Sequence, residues 1–185
     1  MIENNSSFNS KARSASNGVD NTKTALLIVD VQNYFINKHT QHIPGNIKNF
    51  LENNDFSLIC FSQFINSPES NFAKHLNFTG CTKPPYTDIA KELVPWLKED
   101  NTFTKQSFSV FTNPLFENFL QKNKITELAI CGLDTEYCVL ADCFNAFDRG
   151  YKVSVVANCC ASFTSGDEAH QSALNIIEKN LGKIL

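Results

Sequence analysis

The sequence has one methionine, one tryptophan and no pair of cysteines at the C-x-x-C spacing that is typical of structural zinc sites. Its seven cysteines are an odd number, which favours reduced thiols that serve mostly as small core residues. No apolar run approaches the roughly 20 residues of a membrane span, and the polar first residues are unlike a signal peptide. These absences indicate a cytoplasmic protein without a membrane partner.

An excess of positive charge is also missing. The net charge of −3 argues against nucleic acid as a partner, because nucleic-acid-binding domains carry a basic footprint. The length of 185 residues and the hydrophobic content of 42% predict one domain with a core of ordinary size. Residues 1–22 are rich in asparagine and serine and are predicted to form a disordered tail. The folded domain is therefore expected at residues 23–185.

Short apolar runs alternate along the chain with segments that have apolar residues at helical spacing. The runs are typical of strands buried on both faces, so the alternation predicts an α/β fold with a mainly parallel sheet and helices on both sides. In the fourth predicted helix, the apolar face is expected to contain Leu140, Cys143, Phe144 and Phe147. The predicted strands are residues 24–30, 57–62, 102–105, 127–132 and 152–157, and the predicted helices are residues 45–54, 88–98, 115–122, 137–149 and 167–180.

Three reactive side chains fall near the carboxyl ends of predicted strands, where parallel sheets bind ligands. Asp30 ends the first strand, Lys105 ends a short strand, and Cys138 follows the strand at residues 127–132. Taken singly, Asp30 is equally typical of a turn former, Lys105 of a surface lysine and Cys138 of a cysteine in the core. Taken together, they predict a cysteine nucleophile, because a carboxylate can take up the thiol proton and an ammonium group favours both anions.

The segment before Cys138 predicts how such a nucleophile is supported. A tight turn after Gly132 leads to Thr135, a predicted helix N-cap that places Cys138 in the first turn of the helix. Free backbone N–H groups and the partial positive charge of a helix N-terminus stabilise a thiolate. The N–H groups of Cys138 and of the turn between Gly132 and Thr135 are therefore candidates to hold an oxyanion.

Four motifs follow one another along the chain. They are D-x-Q-x-x-F at residues 30–35, K-x-x-x-S-x-F at 105–111, G-x-x-T-x-x-C-V at 132–139, and a run of small residues at 157–162 followed by His170. In this order, the motifs resemble those of the isochorismatase-like cysteine hydrolases, the superfamily that includes nicotinamidases and N-carbamoylsarcosine amidohydrolases. The resemblance extends from residue 24 to the last predicted helix and leaves out only the tail.

The resemblance implies a three-layer α/β/α sandwich with a Rossmann-like, six-stranded and mainly parallel sheet of order 3-2-1-4-5-6. It implies a catalytic triad of Asp30, Lys105 and Cys138. It also implies a non-proline cis peptide between Leu133 and Asp134, so that the N–H groups of Asp134 and Cys138 form the oxyanion hole. The implied reaction is thiolate attack on a carbonyl, release of ammonia or an amine from an acyl-enzyme, and hydrolysis of that intermediate.

Two departures from the family indicate the subgroup. Nicotinamidases carry metal ligands after the second strand, an Asp-x-His and a further His, whereas this chain has Phe64 and Asn66 at the first two positions. His75 lies downstream without partners for a metal, so we expect no metal and no other cofactor. True isochorismatases usually lack the cysteine, so Cys138 favours hydrolysis of a carbon–nitrogen bond over hydrolysis of a vinyl ether.

The expected substrate is a small molecule with a flat or apolar group, and aromatic side chains are candidates for the pocket wall. Gln32 either orients the substrate or supports the turn at Asp30. Residues His39, His42 and His170 are expected to lie at the surface or to cap a helix. The resemblance suggests a homodimer or homotetramer. The expected pocket residues are Gln32, Phe35, Phe64, Phe108 and Tyr137.

The leading hypothesis is a metal-independent cysteine hydrolase that cleaves an amide or carbamoyl-type bond. One alternative is a non-catalytic isochorismatase-like module for binding or interaction, and another is a hydrolase of a non-amide substrate. A nucleotide-binding or oxidoreductase domain of the doubly wound type would need a G-x-G-x-x-G turn after the first strand. The chain has Asp-Val-Gln-Asn there, with no glycine.

Overall fold

The computed structural model describes residues 23–164 and 166–185, so the tail expected at residues 1–22 lies outside the described residues. Its six strands pair in parallel within one sheet of order β3-β2-β1-β4-β5-β6, which confirms the predicted sheet. The strands are β1 (Thr24–Val29), β2 (Leu58–Phe64), β3 (Thr102–Lys105), β4 (Glu127–Leu133), β5 (Lys152–Ala161) and β6 (Gly182–Ile184).

Helices flank the sheet and complete the predicted three-layer α/β/α architecture. Between residues 23 and 185, leaving out residue 165, no helix is long and apolar enough to span a membrane. The cellular location and the oligomeric state stay predictions. The helices are α1 (Ile43–Asn53), α2 (Asn71–Leu76), α3 (Pro114–Lys122), α4 (Leu140–Asp148) and α5 (Gly166–Asn180).

Strand β1 lies in the middle of the sheet and is the first apolar run of the sequence, in which apolar and polar residues do not alternate. All six of its residues are buried, because β2 and β4 pair with its two edges and helices cover both faces of the sheet. The register places Val29 beside Ser62 of β2 and beside Gly132 of β4, and it pairs Phe64 of β2 with Lys105 of β3. The carboxyl ends of four strands therefore meet at one edge of the sheet.

Several predicted elements differ from the structure. The helix expected at residues 88–98 is a 3₁₀ helix at Lys91–Trp96, because Pro95 has no N–H for the α-helical hydrogen bond. Strand β5 extends four residues past the predicted end at residue 157, with a register shift against β4 between Ile130 and Gly132. The short elements α2 and β6 were not predicted, since six and three residues show little periodicity.

The buried face of α4 also differs from the prediction. Phe144 and Phe147 were expected to pack inward, but their side chains are 43% and 49% exposed. A five-residue π-helical turn at Thr135–Val139 precedes α4. The residues that face the interior are Val139, Asp142, Cys143 and Ala146.

Gly132 allows β4 to approach β1 closely just before the site. Its φ of +120° lies in the region that favours glycine, and a Cβ atom built there would stand 2.1 Å from the carbonyl oxygen of Val29. Both the backbone conformation and the space therefore require glycine at this position. By contrast, a Cβ atom at Gly45 within α1 would have no neighbour within 4 Å.

We expect Gly132→Ala to lower the free energy of unfolding by roughly 2–4 kcal/mol, because the new methyl group forces β4 away from β1. Urea denaturation followed by circular dichroism measures this change. The matched control is Gly45→Ala, which we expect to raise the free energy of unfolding by about 0.5–1 kcal/mol, since alanine restricts the unfolded chain and favours the helix. Equal stabilities of the two variants would contradict the tight packing of β4 on β1.

Candidate active site

A buried ion pair joins the ends of β1 and β3. The Nζ atom of Lys105 lies 2.6 Å from Oδ2 of Asp30, and both side chains are at most 2% exposed. Because β2 separates the two strands, the pair spans two strand spacings of about 4.8 Å each. A long lysine side chain covers that distance. The structure thus brings together two of the three reactive residues that the sequence predicted.

Polar groups on neighbouring strands and loops hold the ion pair in place. The hydroxyl of Ser62 donates to Oδ1 of Asp30 over 2.7 Å, and the Asp30 N–H donates back to the Ser62 hydroxyl over 3.2 Å. Lys105 donates to the backbone carbonyls of Ser107 and Phe108 over 3.1 and 2.7 Å. Asp30 adopts a left-handed backbone with φ of +50°, a conformation that aspartate tolerates better than most residues. The pair is therefore fixed in position as well as buried.

Cys138 lies in the π-helical turn that links β4 to α4. It is the fourth residue of the turn at Thr135–Val139, and the residue as a whole is partly exposed although the surroundings of its thiol are buried. The N–H groups on either side of it, those of Tyr137 and Val139, both donate to the carbonyl of Asp134. Asp134, and not Thr135, is the N-cap residue, so the predicted cap was wrong. The hydroxyl of Thr135 instead bonds Nδ1 of His170 on α5 over 2.8 Å.

The backbone between β4 and the π-helical turn reverses sharply at Asp134. The peptide bond between Leu133 and Asp134 is cis. The side chain of Asp134 accepts the N–H of Phe163 over 2.8 Å, and Glu136 accepts the hydroxyl of Ser162. Burial raises the pKa of the Asp134 carboxyl to about 7, although the hydrogen bond from Phe163 lowers it. These contacts attach the segment after β5 to the turn that carries Cys138.

Burial controls the protonation of Cys138. It raises the pKa of the thiol well above the ordinary value, and the charge of Asp30 adds to this effect. Lys105 acts in the opposite direction, through its charge and through a hydrogen bond to the thiol, but does not cancel the rise. Burial also lowers the pKa of Lys105, but Asp30 reverses this and raises it above the ordinary value. Near neutral pH the site therefore holds a neutral thiol beside an ion pair.

The predicted aromatic residues belong to one connected cluster of rings at the edge of the site. Phe35 contacts Phe64 with ring centroids 6.4 Å apart, and Phe108 stacks on Tyr137 at 6.0 Å. Phe72 of α2 joins these two pairs, since its ring lies 4.8 Å from both Phe64 and Phe108. Phe108 and Tyr137 are 40% and 45% exposed, so they form the outer part of the cluster. Phe72 was not assigned from the sequence, because the six residues of α2 show too little helical periodicity.

Gln32 supports the backbone and does not face a pocket. Its Nε2 donates to the carbonyls of Phe64 and Thr87 over 2.9 and 2.8 Å, and its Oε1 accepts the N–H of Phe64 over 2.8 Å. The side chain is completely buried. Of the two roles that the sequence left open, the structure favours support of the strand ends, so the pocket assignment of Gln32 is not retained.

The residues after β2 do not fit a metal site of the kind that the nicotinamidase resemblance implies. Phe64 offers no ligand atom, and the side chain of Asn66 is used within its own loop. Its Nδ2 donates to the carbonyls of Phe78 and Gly80 over 2.7 and 3.1 Å, while its Oδ1 accepts the Ser70 hydroxyl. In the described part of the chain, no group of three or more His, Cys, Asp or Glu side chains is arranged to hold a metal ion.

The remaining histidines lie apart from Cys138. His75 is exposed on α2. His39 and His42 are exposed beside a cavity of about 240 Å³ that His170 also lines. Burial lowers the pKa of His170, whose Nδ1 is engaged by Thr135. Of these residues, His170 supports the π-helical turn through its bond to Thr135.

Asp142 is the site residue that sequence reasoning missed. It lies on α4 four residues after Cys138, is completely buried, and accepts hydrogen bonds from Ser109 and Val110. Its charge acts on both Lys105 and Cys138. The available signal was an acidic residue placed among the apolar residues of a predicted helix, where a carboxylate is rarely buried without a partner.

The sheet order and the helices on both faces define a three-layer α/β/α protein with a cysteine beyond the strand ends. A profile of the isochorismatase domain matches residues 24–185. The chain therefore belongs to the isochorismatase family. This result confirms the family that the sequence motifs predicted.

Individual relatives agree with this assignment. An uncharacterised isochorismatase family protein of Bacillus subtilis is 26% identical over 182 residues, which are 86% of this chain and 97% of the relative. Isochorismatase domain-containing protein 2 of Xenopus laevis is 33% identical over 76 residues, which are 40% of this chain and 37% of the relative.

Solved structures agree in fold. A nicotinamidase from Bacillus subtilis superposes with a TM-score of 0.74 at 23% identity, over 88% of this chain and 98% of the other. An N-carbamoylsarcosine amidase from Thermoplasma acidophilum superposes with a TM-score of 0.72 at 18% identity, over 88% and 94%.

The buried ion pair yields a prediction for stability. We expect Lys105→Met to lower the free energy of unfolding by about 3–5 kcal/mol, because Asp30 then stays buried without its counter-charge. The double variant Asp30→Asn with Lys105→Met should be more stable than Lys105→Met alone, since it leaves no unpaired charge. Urea denaturation of the single and double variants measures this coupling.

An exposed ion pair provides the control. Lys48 and Glu52 lie 3.8 Å apart on α1, with side chains 46% and 51% exposed. We expect Lys48→Met to change the free energy of unfolding by no more than about 0.5 kcal/mol. A Lys105→Met variant as stable as Lys48→Met would contradict the assignment of a buried, structurally required pair.

Proposed function

We propose that this isochorismatase-family hydrolase cleaves the carbon–nitrogen bond of a small amide through an acyl-enzyme on Cys138. The observation that carries the proposal is the buried pair of Asp30 and Lys105, whose charges both act on the Cys138 thiol. A thiol close to a fixed carboxylate and a fixed ammonium has the base and the cation that nucleophilic attack requires. Asp30, Lys105 and Cys138 are therefore the proposed catalytic residues.

The first half of the reaction follows from the resting protonation state. Because burial keeps Cys138 as a thiol, the proton moves to the Asp30 carboxylate as sulfur attacks the substrate carbonyl carbon. Lys105 keeps its positive charge and stabilises the anions that form. The N–H groups of Asp134 and Cys138 hold the oxyanion. The tetrahedral intermediate then collapses, and Asp30 returns its proton to the departing nitrogen.

The second half releases the acid. Asp30, again a carboxylate, takes a proton from a water molecule as its oxygen attacks the carbonyl carbon of the acyl-enzyme. The carbon–sulfur bond breaks when the second tetrahedral intermediate collapses, and the sulfur recovers the proton from Asp30. One water is consumed for each amide bond cleaved, and the enzyme returns to the neutral thiol. All steps use the residues of this chain, and none requires a metal.

The aromatic cluster supports a neutral, apolar substrate. Phe35, Phe64, Phe108 and Tyr137 are the proposed wall residues. Lys105 is a cation that touches this cluster, with Nζ 5.9 Å from the centre of the Phe64 ring, but its charge is already paired with Asp30. A substrate carboxylate placed here would lose its hydration without gaining a free counter-charge.

The nucleophile is tested by substitution. We expect Cys138→Ala to reduce amide hydrolysis by at least about 10³-fold, because no acyl-enzyme can form. Ammonia release from a panel of small amides, carbamoyl compounds and ureides measures turnover. Cys143→Ala, which removes a buried thiol from α4, is the matched control and should keep activity within about threefold. Hydrolysis by Cys138→Ala at the wild-type rate would rule out the mechanism.

The pocket is tested by substrate charge. Among amides of similar size, we expect kcat/KM for a neutral aromatic or short alkyl amide to exceed that of a carboxylate-bearing amide by at least about tenfold, since burying an unpaired charge is unfavourable. For each pair of substrates, one neutral and one with a carboxylate, kcat/KM is measured in the presence of EDTA and again with added zinc. A preference for the carboxylate-bearing amides would contradict the proposed pocket and leave the Cys138 mechanism standing.

A further inference from the structure

Asp142 is a buried carboxylate that the proposed reaction does not use. It is completely buried on α4, four residues after Cys138. Burying a carboxylate is unfavourable unless hydrogen bonds or a counter-charge offset the loss of hydration. Its position within the site therefore requires a physical explanation.

The two carboxylate oxygens of Asp142 have different surroundings. Oδ1 accepts the hydroxyl of Ser109 over 2.7 Å and the N–H of Val110 over 2.8 Å. Oδ2 is equally buried but has no hydrogen-bond partner among residues 23–164 and 166–185. An ionised carboxylate normally uses both oxygens as acceptors. Oδ1 of Asp142 thus anchors the loop that contains Ser109 and Val110, and Oδ2 contributes charge without a nearby hydrogen-bond donor.

The anchored loop is the one that orients Lys105. The Ser107 and Phe108 carbonyls accept the hydrogen bonds of Lys105, and the next two residues are bound by Asp142. Asp142 therefore connects the helix that follows the nucleophile to the loop that holds the lysine. This is a mechanical link between the two halves of the proposed site.

Charged side chains at the ends of β1 and β3 act on this region. Lys105 from β3 and Asp30 after β1 both act on Asp142. Asp142 in turn raises the pKa of Cys138 in the π-helical turn and of Cys143 on α4. Burial raises the pKa of Asp142 itself to about 7, although Lys105 and the hydrogen bonds from the anchored loop lower it. Asp142 thus titrates in the neutral range and its charge is felt by Cys138.

We propose that Asp142 is a positioning residue that anchors the lysine loop and whose negative charge opposes ionisation of Cys138. The inference rests on the proposed function, because it takes Cys138 as the nucleophile. Below neutral pH Asp142 is protonated, so its negative charge no longer opposes ionisation of the Cys138 thiol. Above neutral pH Asp142 is ionised, and the thiol of Cys138 is harder to deprotonate. The reactivity of the cysteine therefore depends on two titrations and not on one.

The test measures alkylation of Cys138 by iodoacetamide between pH 6 and 9.5, with mass spectrometry of the peptide that contains it. In the wild type, we expect the logarithm of the rate to rise with a slope below one near pH 7, because ionisation of Asp142 raises the pKa of the thiol. In Asp142→Asn, the slope should be one throughout. At pH 8 the variant should react about three- to tenfold faster, the effect of a thiol pKa lowered by roughly half a unit to one unit.

A second variant perturbs Asp142 without replacing it. Ser109→Ala removes a hydrogen bond that lowers the pKa of Asp142. The pH range in which the logarithm of the alkylation rate rises with a slope below one should therefore move to higher pH. This variant keeps the proposal testable even if Asp142→Asn does not fold. Asp148→Asn is the matched control, because it removes an exposed carboxylate from the end of the same helix and should leave the profile unchanged.

The outcomes separate this inference from the proposed function. Lys105→Met removes the cation that lowers the pKa of the thiol, so it should slow alkylation at every pH. If Lys105→Met reacts like the wild type, the proposed function fails. If Lys105→Met is slower but Asp142→Asn and Ser109→Ala both retain the wild-type profile, only the role of Asp142 is overturned, and its contacts are structural.

Discussion

The ion pair between Asp30 and Lys105 is the interaction on which the rest of the site depends. Both charges are removed from water, and in such a place the attraction between them offsets the lost hydration only when further hydrogen bonds are present. Ser62 supplies one for Asp30, and two loop carbonyls supply others for Lys105. The parallel register of β1, β2 and β3 places Asp30, Ser62 and Lys105 at one edge of the sheet. The sheet thereby determines where the base and the cation of the proposed reaction lie.

The pair also explains the resting state of the proposed nucleophile. A single ammonium group faces several acidic side chains, including Asp30 and Asp142, so its positive charge is insufficient to draw the proton from Cys138. A helix N-terminus alone would favour the thiolate, but burial acts more strongly here. A neutral thiol is less prone to oxidation than a thiolate. In the proposed mechanism, the thiolate therefore forms only as a substrate carbonyl accepts the sulfur.

Strands such as β1 were predictable from the sequence because buried parallel strands leave a distinct apolar run, whereas the three-residue strand β6 leaves none. The positions of Asp30 and Lys105 followed from the same logic, since parallel strands carry their ligands at one edge. The π-helical turn was not predictable, because one extra residue in a turn leaves no periodic signal. The buried face of α4 was not predictable from apolar spacing either, since Phe144 and Phe147 are exposed whereas Asp142 is buried. The N-cap of the turn is Asp134 and not the predicted Thr135.

The loop after β2 shows how two substitutions change the chemistry of a site. At the positions where the resemblance expects metal ligands, Phe64 joins a ring cluster and Asn66 binds the backbone of its own loop. Gln32 fixes the other end of this segment through the backbone of Phe64. This corner is thus apolar and structurally occupied, so in the proposed reaction the polarisation of a substrate carbonyl falls to backbone N–H groups near Cys138. Because those groups would act on the carbonyl alone, in the proposed site the remainder of the substrate is selected by the aromatic rings through its shape and its lack of charge.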